Sequence, residues 1–389
     1  MKKMKFTDCV DIVGSSCHKF DGTKVYVSTG AVDTDRIEPL DTEIVDYDGR
    51  PSRANLVAEE NDILFAKMQA TEKTLLIDEE SSKHIYSTGF CAVRAKDHII
   101  TNKCLYYLLT SETFLEQKDK NCSGATQKAI TNAGLEKIVI SVPDLEQQTA
   151  FVEQMDAVRN MIVYRKEQLK KLDELVKSRF IELFGDGCDG RFPMKTLPQI
   201  ISSDKHALKR GPFGGALKKE DFVETGYLVY EQRHAIHNDF EYEKYYITAE
   251  KYKDMIMFKV VPGDLIVSCS GVTLGRIAEI PSYAKEGIIN QALLKISLDQ
   301  SIMTNTFFIH QFRSRRVQDI LFGFCRGSGI PNFPSMGEVK AVEFICPPIA
   351  LQEQFAAFVE QTDKSKLAVQ QSLEKLETLK KSLMQKYFG

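Results

Sequence analysis

The sequence predicts an α+β protein built as a tandem duplication. Two globular α/β heads are each followed by a long helix, and the helices pair antiparallel as a coiled coil about a pseudo-twofold axis. Three observations carry this. First, Ile162, Leu169, Val176 and Leu183 fall seven apart with Leu172 between them, and no Pro or Gly interrupts the run from Pro143 to Gly185. Second, the run is written twice. Leu169-Lys170-Lys171-Leu172-Asp173-Glu174-Leu175 returns as Leu373-Glu374-Lys375-Leu376-Glu377-Thr378-Leu379, Ser178 returns as Ser382, and both copies stop at Phe-Gly. Val369, Leu373, Leu376 and Leu383 form the seam of the second copy. Third, the stretches before the two helices present the same order of parts.

The repeat divides the chain into a head over 1–143, a helical segment over 144–187, a second head over 188–347 and a closing helical segment over 348–389. The match extends to the start of the helices, where Ala150-Phe151-Val152-Glu153-Gln154 returns as Ala357-Phe358-Val359-Glu360-Gln361, followed by Asp156 and Asp363. A helix of about 40 residues is about 60 Å long. That exceeds the width of a small domain, so the other copy is its predicted partner.

Composition sets the class. With 389 residues, 43% hydrophobic and 27% charged, the chain has room for two or three cores and no sign of disorder. Met1-Lys2-Lys3-Met4-Lys5-Phe6 runs into Asp8, Asp11 and Gly14 and not into an apolar stretch, and no eighteen-residue apolar run exists, so neither a signal peptide nor a membrane span is expected. Nine scattered cysteines with no Cys-x-x-Cys spacing fit buried thiols in a reducing cytoplasm. The net charge of -3 excludes indiscriminate nucleic-acid binding but leaves room for a local basic face. Charge is segregated: Asp33 to Asp62 is acidic, whereas Lys195, Lys205, Lys209, Arg210, Lys218 and Lys219 face a single acid, Asp204.

In the first head, Lys24–Ser28, Asp62–Ala66, Thr74–Ile77 and Gly89–Arg94 read as strands and Tyr106–Gln117 as a helix. A small polar loop, Ser123-Gly124-Ala125-Thr126-Gln127-Lys128, follows. In the second head Asp264-Leu265-Ile266-Val267-Ser268 resembles Asp62-Ile63-Leu64-Phe65-Ala66, and a Gly-rich turn, Ser270 to Arg276, leads into a strand at Ile277–Ile280. Gly287–Ile296 occupies the place of Ser87–Arg94. A helix from Thr304 to Phe322 then precedes Arg326 to Asn332, which stands where Gly124 to Lys128 stood.

Catalytic signatures are missing. There is no Gly-x-x-x-x-Gly-Lys-Ser/Thr loop and no Asn/Asp-Pro-Pro-aromatic tetrapeptide of an amino-methyltransferase. Acid-x-Lys triplets such as Glu116-Gln117-Lys118 and Glu338-Val339-Lys340 arise by chance at this charge density. His234-Ala235-Ile236-His237 lacks a third ligand for zinc and reads as a loop pair. Cys17-His18 with Asp21 makes no nucleophile set. No catalytic residue, metal or cofactor is expected in this chain.

What remains is a set of loops with the chemistry of DNA contact. Lys209-Arg210-Gly211-Pro212-Phe213-Gly214-Gly215-Ala216-Leu217-Lys218-Lys219 puts cations on both sides of a Gly-rich loop whose backbone can approach phosphate. Arg210 and Arg233 suit bidentate contact with guanine, and Gln232, Gln127 or Asn332 with adenine. Lys128, Arg276 and Arg326 add cations at loop ends.

Taken together, two variable heads resemble the specificity subunit of Type I restriction-modification systems. Each is followed by a run like Leu135-x-x-Ile138 to Pro143, then Glu146-Gln147, then a Leu-rich helix ending Phe184-Gly185. The likeness covers essentially the full length. Gly124 to Gln127 and Asp264–Ser268 followed by Gly271–Arg276 are in register with the family's frame, while Ser328-Gly329 departs from the Gly-x-x-Gln form of the first half. The resemblance implies a noncatalytic reader of double-stranded DNA whose two target recognition domains each take one half of a bipartite asymmetric site, with the paired helices setting the spacer. It implies as partners two modification subunits, which methylate adenine with S-adenosylmethionine, and restriction subunits that translocate and cut with ATP and Mg2+. A rival reading from the residues alone is a coiled-coil adaptor with two protein-binding heads, separable by the steep salt dependence of phosphate contacts.

Overall fold

The computed structural model describes residues 1–185, 190–271, 273–323 and 333–389. By contact the chain divides into two compact units, Met1–Gln168 with Val369–Gly389, and Leu169–Ala368. The sequence-order division at 143, 187 and 347 keeps heads apart from helices, whereas each contact unit holds one head with a segment of each long helix, Leu145–Phe184 and Ile349–Phe388.

The first unit contains an antiparallel sheet in the order Thr74–Leu76, Ile63–Ala66, Phe90–Ala95, Val10–Val13. Its central strands are apolar without alternation up to Arg94 because both faces are covered. A five-stranded sheet runs Ser15–Ser16, Ala54–Val57, Ile85–Ser87, Lys24–Val27, Glu43–Val45, and its one parallel pair is Ile85–Ser87 with Lys24–Val27. Lys2–Lys5 pairs with Val139–Val142, closing the head at the start of the long helix. Phe6, Phe65 and Phe114 meet edge-on or tilted at 5.2–6.5 Å in the core. Phe151 of the long helix packs on Tyr387 and Phe388 at 4.7 and 5.0 Å.

The second unit repeats the plan. Its antiparallel sheet runs Leu208–Arg210, Leu293–Ile296, Leu265–Ser268, Ile277–Glu279. Its other sheet runs Phe222–Val223, Tyr246–Ile247, Tyr227–Tyr230, Gly287–Ile289, Lys259–Val260, again with one parallel pair, Tyr227–Tyr230 beside Gly287–Ile289. Met194–Thr196 pairs with Glu343–Ile345 as Lys2–Lys5 pairs with Val139–Val142. Phe184 packs on Phe307 and Phe355 at 4.6 and 5.6 Å.

In both units the helical segments run antiparallel. Phe151 meets Phe388 while Arg165 Nε donates to Ser372 Oγ at 3.2 Å, and Phe184 meets Phe355 while Lys366 pairs with Asp173 at 2.7 Å. Ile162, Leu169, Leu172, Leu183, Leu373, Leu376 and Leu383 are half-buried, and Val176 and Val369 are buried.

One buried glutamine staples each head to its helix. Gln148 is fully buried; its Nε2 donates to Ile99 O and Pro143 O at 2.9 Å and its Oε1 accepts from Thr101 N at 2.8 Å. Gln352 does the same with Ile302 O, Pro347 O and Thr304 N at 2.8–3.0 Å. Close by, Asn102 and Asn305 donate at 2.7 Å to Asn61 O and Gly263 O.

These staples correct the helix register expected above. Gln352 follows Gln148 by 204 positions, and so does Phe388 follow Phe184, whereas Ala357 follows Ala150 by 207. The pentapeptide likeness lies about one helical turn out of step with the packing, which equates Phe151 with Phe355, both fully buried. A second correction concerns the head helices. Each expected single helix is two: Asn102–Leu109 then Glu112–Lys120, and Asn305–Phe312 then Arg315–Phe322. Ser111 and Ser314 break them, each accepting a backbone N–H of the following turn, from Phe114 and Val317, as N-caps do.

Candidate nucleic-acid interface

In the first unit, the Ser123–Lys128 loop is a tight excursion pinned by two hydrogen bonds between Ser123 and Ala129. Gly124 has φ +135°, and a Cβ there would sit 2.5 Å from Gln127 O, so only glycine allows the turn. Gln127 and Lys128 are exposed at its tip. Gln127 Nε2 lies 3.0 Å from Met68 Sδ, and Lys128 O accepts from Gln69 N at 3.0 Å. The loop therefore forms one surface with the segment after the Ile63–Ala66 strand, which sequence reasoning overlooked. That segment is rigid for a stated reason: Lys118, 1% exposed, donates its amine to Met68 O and Thr71 O at 3.0 and 2.8 Å, while Asp119 accepts from Ala70 N at 3.0 Å. The signal available in sequence was the apolar face of Glu112–Lys120, on which a lysine sits among core positions.

In the second unit the strand Leu208–Arg210 separates the two cations that sequence places side by side, because successive side chains point to opposite faces. Lys209 lies over the Phe258 ring at 5.3 Å. Arg210 turns the other way, between Phe213 and Phe333 at 5.0 and 5.3 Å. The Gly-rich loop also serves a different purpose at its first residue: a Cβ on Gly211 would lie 1.8 Å from Asn290 O, so this glycine admits the chain's own backbone.

Lys218 and Lys219 begin a short turn fixed by Asp221, which accepts from Lys218 N at 2.7 Å and pairs with Lys251 at 3.0 Å. The hydrogen bond from Lys218 N, then the Lys251 ammonium, hold the Asp221 carboxyl below its ordinary value. The two lysines line a groove of about 510 Å³ with Glu231, Tyr245, Asn290 and Gln291. Gln232, the next residue, donates to Ser270 Oγ at the start of the Gly-rich turn. Against Ala235 and Ile236 of the Gln232–His237 helix, Arg276 and Arg313 share a second groove of about 550 Å³ with Gln318. Lys218 and Lys219 thus border one groove and Arg276 the other, while Gln232 is tied to Ser270. Arg233 is held back: it pairs with Asp239 at 3.5 Å and lies over Tyr242 at 4.3 Å. Arg326 and Asn332 lie outside the described residues.

His234 is not the loop histidine expected from sequence. It is fully buried on that helix, with Nδ1 2.9 Å from Glu231 N and Nε2 2.9 Å from Tyr242 O, so both ring nitrogens are spent on the surrounding backbone. Among the described residues no group of three or more His, Cys, Asp or Glu is placed to hold a metal ion, and no helix is long and apolar enough to cross a membrane. The grooves offer amines, guanidinium groups and amides on fixed backbone, a donor set suited to phosphate oxygens and base edges.

Comparison with known proteins gives a consistent picture. Residues 8–174 match the family model for the type I restriction modification DNA specificity domain. A Haemophilus influenzae protein named as a type I restriction enzyme specificity subunit is 23% identical over 73% of this chain and 72% of its own length. A type I restriction enzyme specificity subunit of Methanocaldococcus jannaschii is 30% identical over 21% of this chain and 19% of its own. Two solved structures share the fold. One, from a study of complex assembly and conformational transition of the type I R-M system, has a TM-score of 0.65 at 17% identity and covers 99% of this chain and 97% of that one. The other, a type I restriction-modification S subunit from M. genitalium, has a TM-score of 0.57 at 14% identity and covers 100% and 96%.

Proposed function

We propose that the chain, which matches the family model for the type I restriction modification DNA specificity domain over residues 8–174, is the sequence-reading subunit of such a complex. Each head reads one half of a bipartite, asymmetric site on double-stranded DNA. The observation that supports this most directly is one topology used twice with unlike loops. The first head presents Gln127 and Lys128 beside Met68 and Gln69; the second presents Lys218, Lys219 and Arg276 around two grooves, with Gln232 on Ser270. A shared scaffold with different tips is what two readers of different half-sites require.

In this reading the chain performs no bond chemistry. The paired helices fix the unread spacer and offer their charged faces to two modification subunits, which carry S-adenosylmethionine and flip the adenine they methylate. Restriction subunits supply ATP- and Mg2+-dependent translocation and cleavage. The whole works in the cytoplasm. Among the described residues, Lys128 in the first head and Lys218, Lys219 and Arg276 in the second supply phosphate charge; Gln127, Gln232 and Arg210 are the candidates for base edges. The adaptor reading has no comparable support, since each groove carries two cations, Lys218 and Lys219 in one and Arg276 and Arg313 in the other.

Methylome sequencing of a host with and without this chain tests the proposal. A bipartite motif that disappears with the chain is expected, and replacing residues 1–143 with another head should change one half of the motif only. An unchanged methylome, or a change in both halves, refutes it.

A further inference from the structure

The five-stranded sheet of the first unit ends on Glu43–Val45. This strand pairs on one side through Lys24↔Val45, Val25↔Ile44 and Tyr26↔Glu43, and no strand among the described residues pairs with its outer side. The second unit shows what belongs there. The parallel pair fixes the correspondence, Lys24–Val27 beside Ile85–Ser87 in one sheet and Tyr227–Tyr230 beside Gly287–Ile289 in the other. The strand equivalent to Glu43–Val45 is therefore Tyr246–Ile247, and it is covered: Phe222–Val223 pairs along it, with Phe222 stacked on Tyr245 at 4.5 Å. One head supplies its own outer strand; the other leaves the same position open.

The open edge is not protected in the usual way. Edge strands of monomeric proteins are blunted by lysine, proline or bulges. Here Leu40 is 99% exposed and Ile44 76% exposed, the two highest values for large apolar side chains in the described chain. Around them lie Glu38, Asp41, Glu43, Asp46 and Asp48. The nearby arginines are engaged locally: Arg36, though exposed, pairs with Glu38 at 3.1 Å, and Arg50 lies over Tyr47 at 3.8 Å while donating to Ala54 O at 3.0 Å. This negative surface repels the phosphates of DNA, and two identical acidic edges repel one another, which disfavours a second copy as occupant.

We propose that Glu43–Val45 is a β-augmentation site for an extended segment of a different protein, carrying apolar residues at alternate positions and lysine or arginine between them. Main-chain hydrogen bonds supply the binding, Leu40 and Ile44 receive the apolar residues, and the flanking carboxylates select the charge. The site is independent of the DNA reading, so neither stands or falls with the other.

The test pans a displayed library of random peptides of about ten residues against the full chain and against the double variant Glu43→Lys, Ile44→Lys. Circular dichroism checks that the variant is folded. Enriched peptides should be basic with alternating apolar residues, bind the variant at least about tenfold more weakly, and slow amide hydrogen exchange at residues 43–45 of the native chain. No enrichment, peptides that bind both chains equally, acidic consensus sequences, or a homodimer dissolved by the double variant would each overturn the proposal. Should the variant fail to fold, exchange on the native chain decides: no slowing at 43–45 in the presence of the selected peptides refutes it.

Discussion

Replacing Gln148 or Gln352 by methionine keeps the volume of the side chain and removes all its hydrogen bonds. In the second unit the change leaves Thr304 N–H and Pro347 C=O without partners, while Ile302 O keeps a long contact with the Cys346 thiol at 3.7 Å. In the first unit Thr101 N–H, Pro143 C=O and Ile99 O are all orphaned. A buried group left unsatisfied costs about 1–3 kcal/mol, so Gln352→Met should cost about 3 kcal/mol and Gln148→Met about 4–5 kcal/mol. For units of this size that lowers the midpoint of thermal unfolding by about 2–4 °C per kcal/mol, hence by about 6–12 °C and about 8–20 °C. Differential scanning calorimetry with hydrogen exchange mapped to each unit measures both. Exchange should accelerate around residues 99–105 and 139–151 in the first variant, and around 302–308 and 345–355 in the second. A shift below about 2 °C in either, a larger loss for Gln352→Met, or acceleration confined to the other unit would refute the idea that these glutamines tie head to helix.

Gly124→Ala forces a Cβ to within 2.5 Å of Gln127 O at φ +135°, a strain of about 1–3 kcal/mol; methylation by the assembled complex should fall for sites read by the first head, and the melting temperature of the first unit should drop by about 2–12 °C. Lys218→Ala with Lys219→Ala should weaken DNA binding uniformly across sequences and reduce the salt slope by about 1 for each phosphate no longer neutralised, measured by binding titrations at several ionic strengths. His310 is packed between Phe180 and Phe355, and its burial, with the Arg313 cation adding and Asp363 opposing, pushes the imidazole down to about 4. Its folded value lies below its unfolded value of 6.5, so the unfolded chain binds the proton first and stability should fall by up to about 1.4 kcal/mol per pH unit from about 6.5 to 4. His310→Leu should flatten that interval in melting curves taken against pH. Inserting about one helical turn after Arg165 should lengthen the spacer of the methylated motif, read by methylome sequencing.

The duplication was legible because it rests on patterns that sequence preserves: heptad spacing, the aspartate-led apolar strand, the Phe-Gly stop. Asp62 and Asp264 each accept a backbone N–H three residues upstream, from Glu59 and Val261 at 2.8 Å, which is why both copies retain an aspartate there. The exact helix register was not legible, since Ala-Phe-Val-Glu-Gln recurs one turn away from the packing match and only the buried Gln148 and Gln352 distinguish the two. The breaks at Ser111 and Ser314 carry N-cap signals in the sequence, but the helical periodicity that runs through them masks the interruption. At the interface, neighbours in sequence proved poor guides. Lys209 and Arg210 face opposite ways by strand geometry, Gly211 answers to Asn290, and Arg233 is engaged by Asp239 and Tyr242. Gln69, Arg313 and Gln318 enter through tertiary placement that no local pattern announces.

The core of the first unit includes Phe388, and its helix partner begins only at Val369. On the ribosome, this head therefore waits for a tail made some two hundred residues after its own helix starts. At about 5–20 residues per second the delay is on the order of 10–40 s. During that interval Phe151 and Met155 lack their cover, and a nascent chain halted before Val369 would release a protein whose first head is left unfinished by the loss of its last.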